Sequence, residues 1–174
     1  MQKQDRSFAT ELIDNDFLKY ADSSKIDGLK AQLKDSFDIY DEDNFRITPI
    51  DAEELAEFNF DFFVPKLNNL LEKRNTSLTV EKANDYERMN NILINGAKIK
   101  LYTKEEIDNL SFWDTAPRNF FKKVNEILKT KNINEQFYLL YGGNDLHTFL
   151  LTDKQFAIIS EYYKDNNKEK PYKP

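Results

Sequence analysis

The stretch Asn91-Ile92-Leu93-Ile94-Asn95-Gly96-Ala97-Lys98-Ile99-Lys100-Leu101 decides how the chain is read. Asn-Gly is a favoured pair for a two-residue type I′ hairpin turn, because both central positions need positive φ. With the turn at 95–96, Ile94 pairs with Ala97 and Ile92 with Ile99. Ile92, Ile94, Ala97, Ile99 and Leu101 then share one face, and Lys98 and Lys100 fall on the other, wetter face. Leu78 to Val80 is placed to add a neighbouring strand.

A second hairpin is predicted downstream. Phe137 to Tyr141 and Leu146 to Leu151 flank Gly142-Gly143-Asn144-Asp145. Both arms are apolar on nearly every residue, the pattern of strands covered on both faces and central in a sheet. Helices are predicted around the hairpins. A short one starts at Thr103-Lys104-Glu105-Glu106. The next is capped by Asp114 or Thr115, holds Pro117 in its first turn and carries the stripe Phe120, Phe121, Val124, Ile127, Leu128. The last opens at Thr152, with Gln155 completing a capping box.

The first third of the chain reads as helical, with stripes at Phe8, Leu12, Ile13, Phe17 and at Ile26, Leu29, Leu33, Phe37. Asp51 caps a longer helix with Glu54 at the capping-box position. That helix runs to about Arg74, and Pro65 either kinks it or splits it in two. The expected fold is therefore α+β: a single domain over residues 1–164, with an antiparallel sheet of about four to five strands built from two hairpins and packed with helices. Its N-terminal third is mainly helical, and a loose charged tail follows at 165–174.

Composition narrows the function. The 174 residues include 14 Phe, 9 Tyr and one Trp, enough for a sizeable core. No cysteine occurs, which removes disulfides, thiolate nucleophiles and Cys-based metal sites. The opening ten residues are polar with no apolar segment behind them, and no run approaches the ~20 apolar residues that span a bilayer. A cytoplasmic protein with no membrane partner is expected. The net charge of -6 argues against nucleic acid, whose phosphates need a basic face.

Catalytic motifs are missing. An EF-hand loop begun at Asp41 would place Phe45, Arg46 and Ala52 at its fifth, sixth and twelfth positions, where an oxygen ligand, Gly and Glu are required. There is neither GxxxxGK[ST] nor GxGxxG, and no cofactor is expected. His147 is the single histidine, so any His-based acid–base chemistry rests on it; the plainer reading is a half-buried strand residue. Trp113 reads as packing beneath the helix that follows it.

One feature stands out. Between Asp35 and Asp61 the acids are Asp35, Asp38, Asp41, Glu42, Asp43, Asp51, Glu53, Glu54, Glu57 and Asp61, against the single base Arg46. That stretch carries −9, from ten acids and one base; the rest carries +3, from 24 bases and 21 acids. Phe37, Tyr40, Phe45 and Phe58 are interleaved. Aromatic anchors ringed by carboxylates suit steered protein binding. The leading expectation is a non-enzymatic binding protein, of the inhibitor or immunity type, that docks a basic protein partner through residues 35–61. Its contacts would be Asp38, Tyr40, Asp41, Glu42, Asp43, Asp51, Glu53, Glu54 and Glu57. The alternatives are an enzyme with a carboxylate or His147-based site, and an accessory or self-assembling subunit. A solvated acidic face without a partner is the bland reading of the same charges.

Overall fold

The computed structural model describes residues 2–36 and 38–174, with side chains from Arg6 onward. Phe37, expected both in the second helical stripe and among the aromatic anchors, lies outside the described residues. The first half of the chain forms α1 (Gln2–Asp14), α2 (Ile26–Ser36), β1 (Ile47–Pro49), α3 (Ala52–Ala56), α4 (Val64–Glu72) and β2 (Val80–Lys82). The second half forms α5 (Tyr86–Met89), β3 (Asn91–Ile94), β4 (Ala97–Lys100), α6 (Lys104–Asp108), α7 (Phe112–Thr130), β5 (Glu135–Leu140), β6 (His147–Thr152) and α8 (Asp153–Tyr162).

The first hairpin has the register that the alternation predicts. Ile92 opposes Ile99 and Ile94 opposes Ala97. Asn95 and Gly96 take φ of 48° and 78°, the left-handed values a type I′ turn needs. Ile92 and Ile94 are buried, while Lys98 and Lys100 are exposed.

The sheet arrangement differs from expectation. Among the described residues there is no single sheet of four to five strands: the two hairpins sit in separate three-stranded antiparallel sheets, ordered β2-β3-β4 and β1-β6-β5. Helix α7 packs against both β4 and β5. Its Phe120, Phe121, Val124 and Leu128 share one core with Ile92 and Ile94 of the first sheet, with Leu101 just after it, and with Phe137, Leu139 and Leu150 of the second. Each sheet buries an apolar face on that helix, so neither hairpin needs the other as a neighbour.

The second sheet is covered twice, which explains its unbroken apolar sequence. Phe137, Leu139 and Leu150 face the α7 core. Tyr138, Leu140, Phe149 and Leu151 face a second core with Phe8 and Leu12 of α1, Leu29 and Leu33 of α2 and Ile159 of α8. Only β6 is central, however. β5 is an edge strand, and its outer side is met by the tail: Leu139 and Tyr172 exchange two backbone hydrogen bonds of 2.8 Å. The tail is thus not loose from end to end. A bare edge strand leaves backbone groups unpaired, and the tail supplies partners for them.

The helix expected from Asp51 to Arg74 is broken. The chain forms α3, a 3-10 turn at Phe60–Phe62 and then α4. Phe58 takes a left-handed φ of 62°, which ends the first piece. Pro65 falls in the first turn of α4, where a missing N–H removes no helical hydrogen bond. Asp51 does cap α3, accepting from the N–H groups of Glu53 and Glu54 at 2.9 and 3.3 Å. Glu54 accepts from the Asn59 amide instead of closing a capping box. Helix α7 starts at Phe112, ahead of Asp114 and Thr115, so Pro117 lies inside it. The capping boxes of Thr103 with Glu106 and of Thr152 with Gln155 both form.

Candidate functional site

The acidic stretch wraps both ends of β1. Asp38 to Asp43 lie before the strand and Asp51 to Glu57 after it. Three residues of strand span ~10 Å, so the two groups are close along the chain. Before β1, the Gln32 amide of α2 donates to Asp38 at 3.3 Å and to Asp41 at 3.0 Å, gathering those two carboxylates. Asp41 also caps the 3-10 turn Glu42–Asn44 by accepting from Asp43 N–H. Asp43 pairs with Lys25 at 2.7 Å in an exposed contact. After β1, Asp51 is held at its cap, while Glu53 and Glu57 are exposed. None of the ten acids between Asp35 and Asp61 is buried.

Arg46 behaves in the opposite way. It is 1% exposed, in a cluster with Arg74 and Glu135. Its Nη1 bonds Glu135 Oε1, and Arg74 Nε bonds Glu135 Oε2 at 2.7 Å. The remaining donors go to backbone carbonyls: Arg46 to Phe17, Asp16 and Leu150, and Arg74 to Phe45 and Leu70. The Arg74 guanidinium stacks on the Tyr20 ring at 3.8 Å. Burial pulls the Arg46 pKa down, Glu135 opposes that, and Arg74 adds to it; an arginine stays charged nonetheless. The one base of the acidic stretch is therefore withdrawn from its surface. Sequence counting gives that stretch −9, whereas the acids it presents to solvent are unopposed by any base of its own.

The interleaved aromatics are not free anchors. Phe58 packs against Phe60, Tyr86 and Tyr102. Phe45 is half-buried beneath Lys73, whose Nζ lies 4.1 Å from the ring centroid. Tyr40 packs near Phe149, and its hydroxyl donates to Glu169 at 2.6 Å. The exposed apolar side chains lie elsewhere. Leu110 is 68% exposed and Trp113 40%, so the tryptophan is not packed away. Together with Ala52, Pro117, Gly143 and Leu146 they line a cavity of about 210 Å³ beside the start of α3.

Around the β5–β6 turn lies a second cavity, of about 150 Å³, lined by Tyr40, Glu42, Ile47, Pro49, Tyr141 and His147. The tail braces two of its lining residues. Glu169 Oε2 accepts from both Tyr40 and Tyr141, and the Tyr172 hydroxyl donates to the Tyr141 carbonyl at 2.7 Å. Tyr141 is held at φ 61°, an uncommon value for an aromatic residue. Burial, followed by the bond to Glu169, pushes the Tyr141 hydroxyl up to about 12. The same causes, in the same order, raise Tyr40 further. His147 is half-buried, and its Nδ1 lies 2.8 Å from the Asp145 carbonyl. A carbonyl only accepts, so Nδ1 carries the hydrogen of that bond. The Tyr141 ring stands edge-on to the imidazole at 5.9 Å.

Sequence reasoning had located Tyr40, Glu42 and His147, but not their convergence, and it missed Tyr141 and Glu169. The one available signal was an aromatic residue next to a Gly-Gly turn. The described residues hold no group of three or more His, Asp and Glu side chains placed to bind a metal ion. No described helix is long and apolar enough to cross a membrane. No family model, no curated protein and no solved structure matches the chain.

Proposed function

We propose that this is a non-enzymatic binding protein of the cytoplasm that docks a basic protein partner through the acids flanking β1. The burial of Arg46 carries the reading. A stretch whose ten carboxylates are all exposed or partly exposed, while the one base within it is turned inward and, among the described residues, only Asp43 is paired, by Lys25 of a neighbouring segment, favours a cationic partner. Leu110 and Trp113 add exposed apolar area next to α3, so the surface combines an apolar patch with a charged rim, as protein interfaces do. A role as an inhibitor or immunity-type protein that neutralises a basic target fits this chemistry. The enzyme reading draws on His147, but the cavity beside it is smaller than the ~300–1,000 Å³ usual for ligand sites. The Asp145 carboxylate is not part of its lining either.

The test is capture from the native host at low salt, with salt-gradient elution, run in parallel on the wild type and on a variant with Asp41, Asp43, Glu53 and Glu54 all changed to lysine. A basic protein retained by the wild type, released as salt screens the contact and lost by the variant is the expected result. Equal retention by both chains refutes the acidic surface.

A further inference from the structure

We infer that the cavity formed by Tyr40, Glu42, Tyr141 and His147 receives a single arginine side chain of the docking partner. This rests on the docking reading above and assigns a specific contact within it.

The first observation is charge and ring arrangement. Two phenol rings and an imidazole line the cavity together with one carboxylate, Glu42. A planar cation is attracted to aromatic faces and to a carboxylate at once. The second is how the chain treats its other aromatics. Lys19 and Arg74 lie over Tyr20, Lys66 over Phe62, Lys73 over Phe45, Lys82 over Tyr86 and Arg118 over Tyr172. Among the described residues, no lysine or arginine stands over Tyr40, Tyr141 or His147. Glu169 of the same chain accepts from both tyrosine hydroxyls, which leaves the Glu42 carboxylate and the ring faces of the cavity to meet a cation from a partner.

Size selects the occupant. The cavity measures about 150 Å³, well below the ~300–1,000 Å³ of sites for drug-sized ligands. That accommodates a guanidinium and the end of its stem, and excludes a nucleotide or an oligosaccharide. Arginine is favoured over lysine because its flat, weakly hydrated head stacks on rings and can donate to Glu42 in the same pose. In the neutral imidazole, with hydrogen on Nδ1, Nε2 is a further acceptor. Glu169 and Tyr172 are positioning residues: Glu169 accepts from the Tyr141 hydroxyl and Tyr172 donates to the Tyr141 carbonyl.

Position links this cavity to the docking surface. Glu42 belongs to the acidic stretch, and Pro49 is followed, after Ile50, by Asp51 and α3. The cavity beside Leu110 and Trp113 lies on the same β5–β6 turn, through Gly143 and Leu146. A partner segment lying across the turn can place a basic side chain on one side and an apolar one on the other.

The test uses the full chain and defined probes. N-acetyl-arginine methylamide is titrated while amide chemical shifts are followed, with the lysine and norleucine analogues as parallel arms. Binding of the arginine probe, with shifts centred on residues 40–42, 141 and 147, is expected, weaker binding of lysine, and none of norleucine. Glu42→Gln leaves an exposed position nearly isosteric, and Tyr141→Asn removes the ring with a residue that tolerates the left-handed backbone. Each is expected to weaken the arginine probe about five- to tenfold. Arginine shifts no larger than those of norleucine, or unchanged binding in either variant, overturn the assignment. Because the titration needs no partner, it separates the two readings. Loss of partner capture in the lysine variant, with no arginine binding, leaves the docking surface standing and removes this contact.

Discussion

Replacing Glu135 with alanine tests the buried charge cluster that takes the one base of the acidic stretch out of solvent. The side chains of Arg46, Arg74 and Glu135 are each 3% exposed or less, and Glu135 is the one carboxylate paired with either arginine among the described residues. Removing one partner of a buried ion pair costs about 3–5 kcal/mol, mostly because the other charge is left uncompensated. Here two guanidinium groups lose their counter-ion together, which pushes toward the upper end. Five backbone carbonyls continue to accept from them, which pulls back. We expect a loss of about 4 kcal/mol. For a chain of this length each kcal/mol lowers Tm by about 2–4 °C, so the melting point should fall by roughly 8–16 °C. Glu135→Gln keeps one acceptor and should lose about half as much. Urea unfolding gives the measurement directly: the midpoint should move while the slope stays constant. A Glu135→Ala protein within about 1 kcal/mol of wild type would show that the cluster is not the electrostatic unit described here.

Other outcomes follow from the same geometry. The Tyr141 hydroxyl is raised from 10.0 to about 12, and Tyr40 and Tyr163 are raised as well. For a group raised on folding, the stability it confers is complete below pH 10 and is lost as pH climbs through the folded value. Denaturant unfolding should therefore weaken between pH 10 and about 12 in step with phenolate absorbance, and constant stability across that window would refute the coupling. Gly96→Ala places a side chain at φ 78° and should cost about 1 kcal/mol, read from the shift in the urea midpoint. Arg46→Met should lower stability yet leave salt-dependent partner capture intact, because the guanidinium is not on the surface; loss of capture in a folded Arg46→Met protein would place this arginine at the interface.

What the sequence made legible was local. Asn95-Gly96 set a hairpin register because a two-residue turn with two positive φ values leaves one pairing. Thr103 and Thr152 announced their helices through side chains that reach only three residues. Pairing between distant elements was not legible. The strand expected near Leu78 to Val80 does lie beside β3, as β2 at Val80–Lys82, but periodicity does not state that α7 separates the two hairpins. The contacts of the tail were not legible for a related reason. Residues 165–174 are rich in lysine and end on proline, a composition that reads as loose, and two residues, Glu169 and Tyr172, suffice to anchor it. At the candidate site the acids were visible as a run of like charge, whereas the cavity at His147 required Tyr40 and Tyr141, about a hundred residues apart in sequence, to meet.

Arg46 shows most sharply why charge counted along a chain differs from charge on a surface. By residue type it is the cation that tempers an acidic run. By position it is a donor to Phe17, Asp16 and Leu150, which belong to the segment after α1 and to β6. Arg74 does the same for Phe45 and Leu70, and Glu135 on β5 joins the two. Replacing such a cluster with apolar residues is often harmless when only charges are lost. In this protein it would also take donors from the carbonyls of Phe17, Leu150, Phe45 and Leu70, while that of Asp16 keeps the Lys19 N–H, and an unsatisfied buried carbonyl costs about 1–3 kcal/mol. The arginines are thus retained by the backbone groups they serve, and the acidic surface around β1 follows from that internal requirement as much as from the acids themselves.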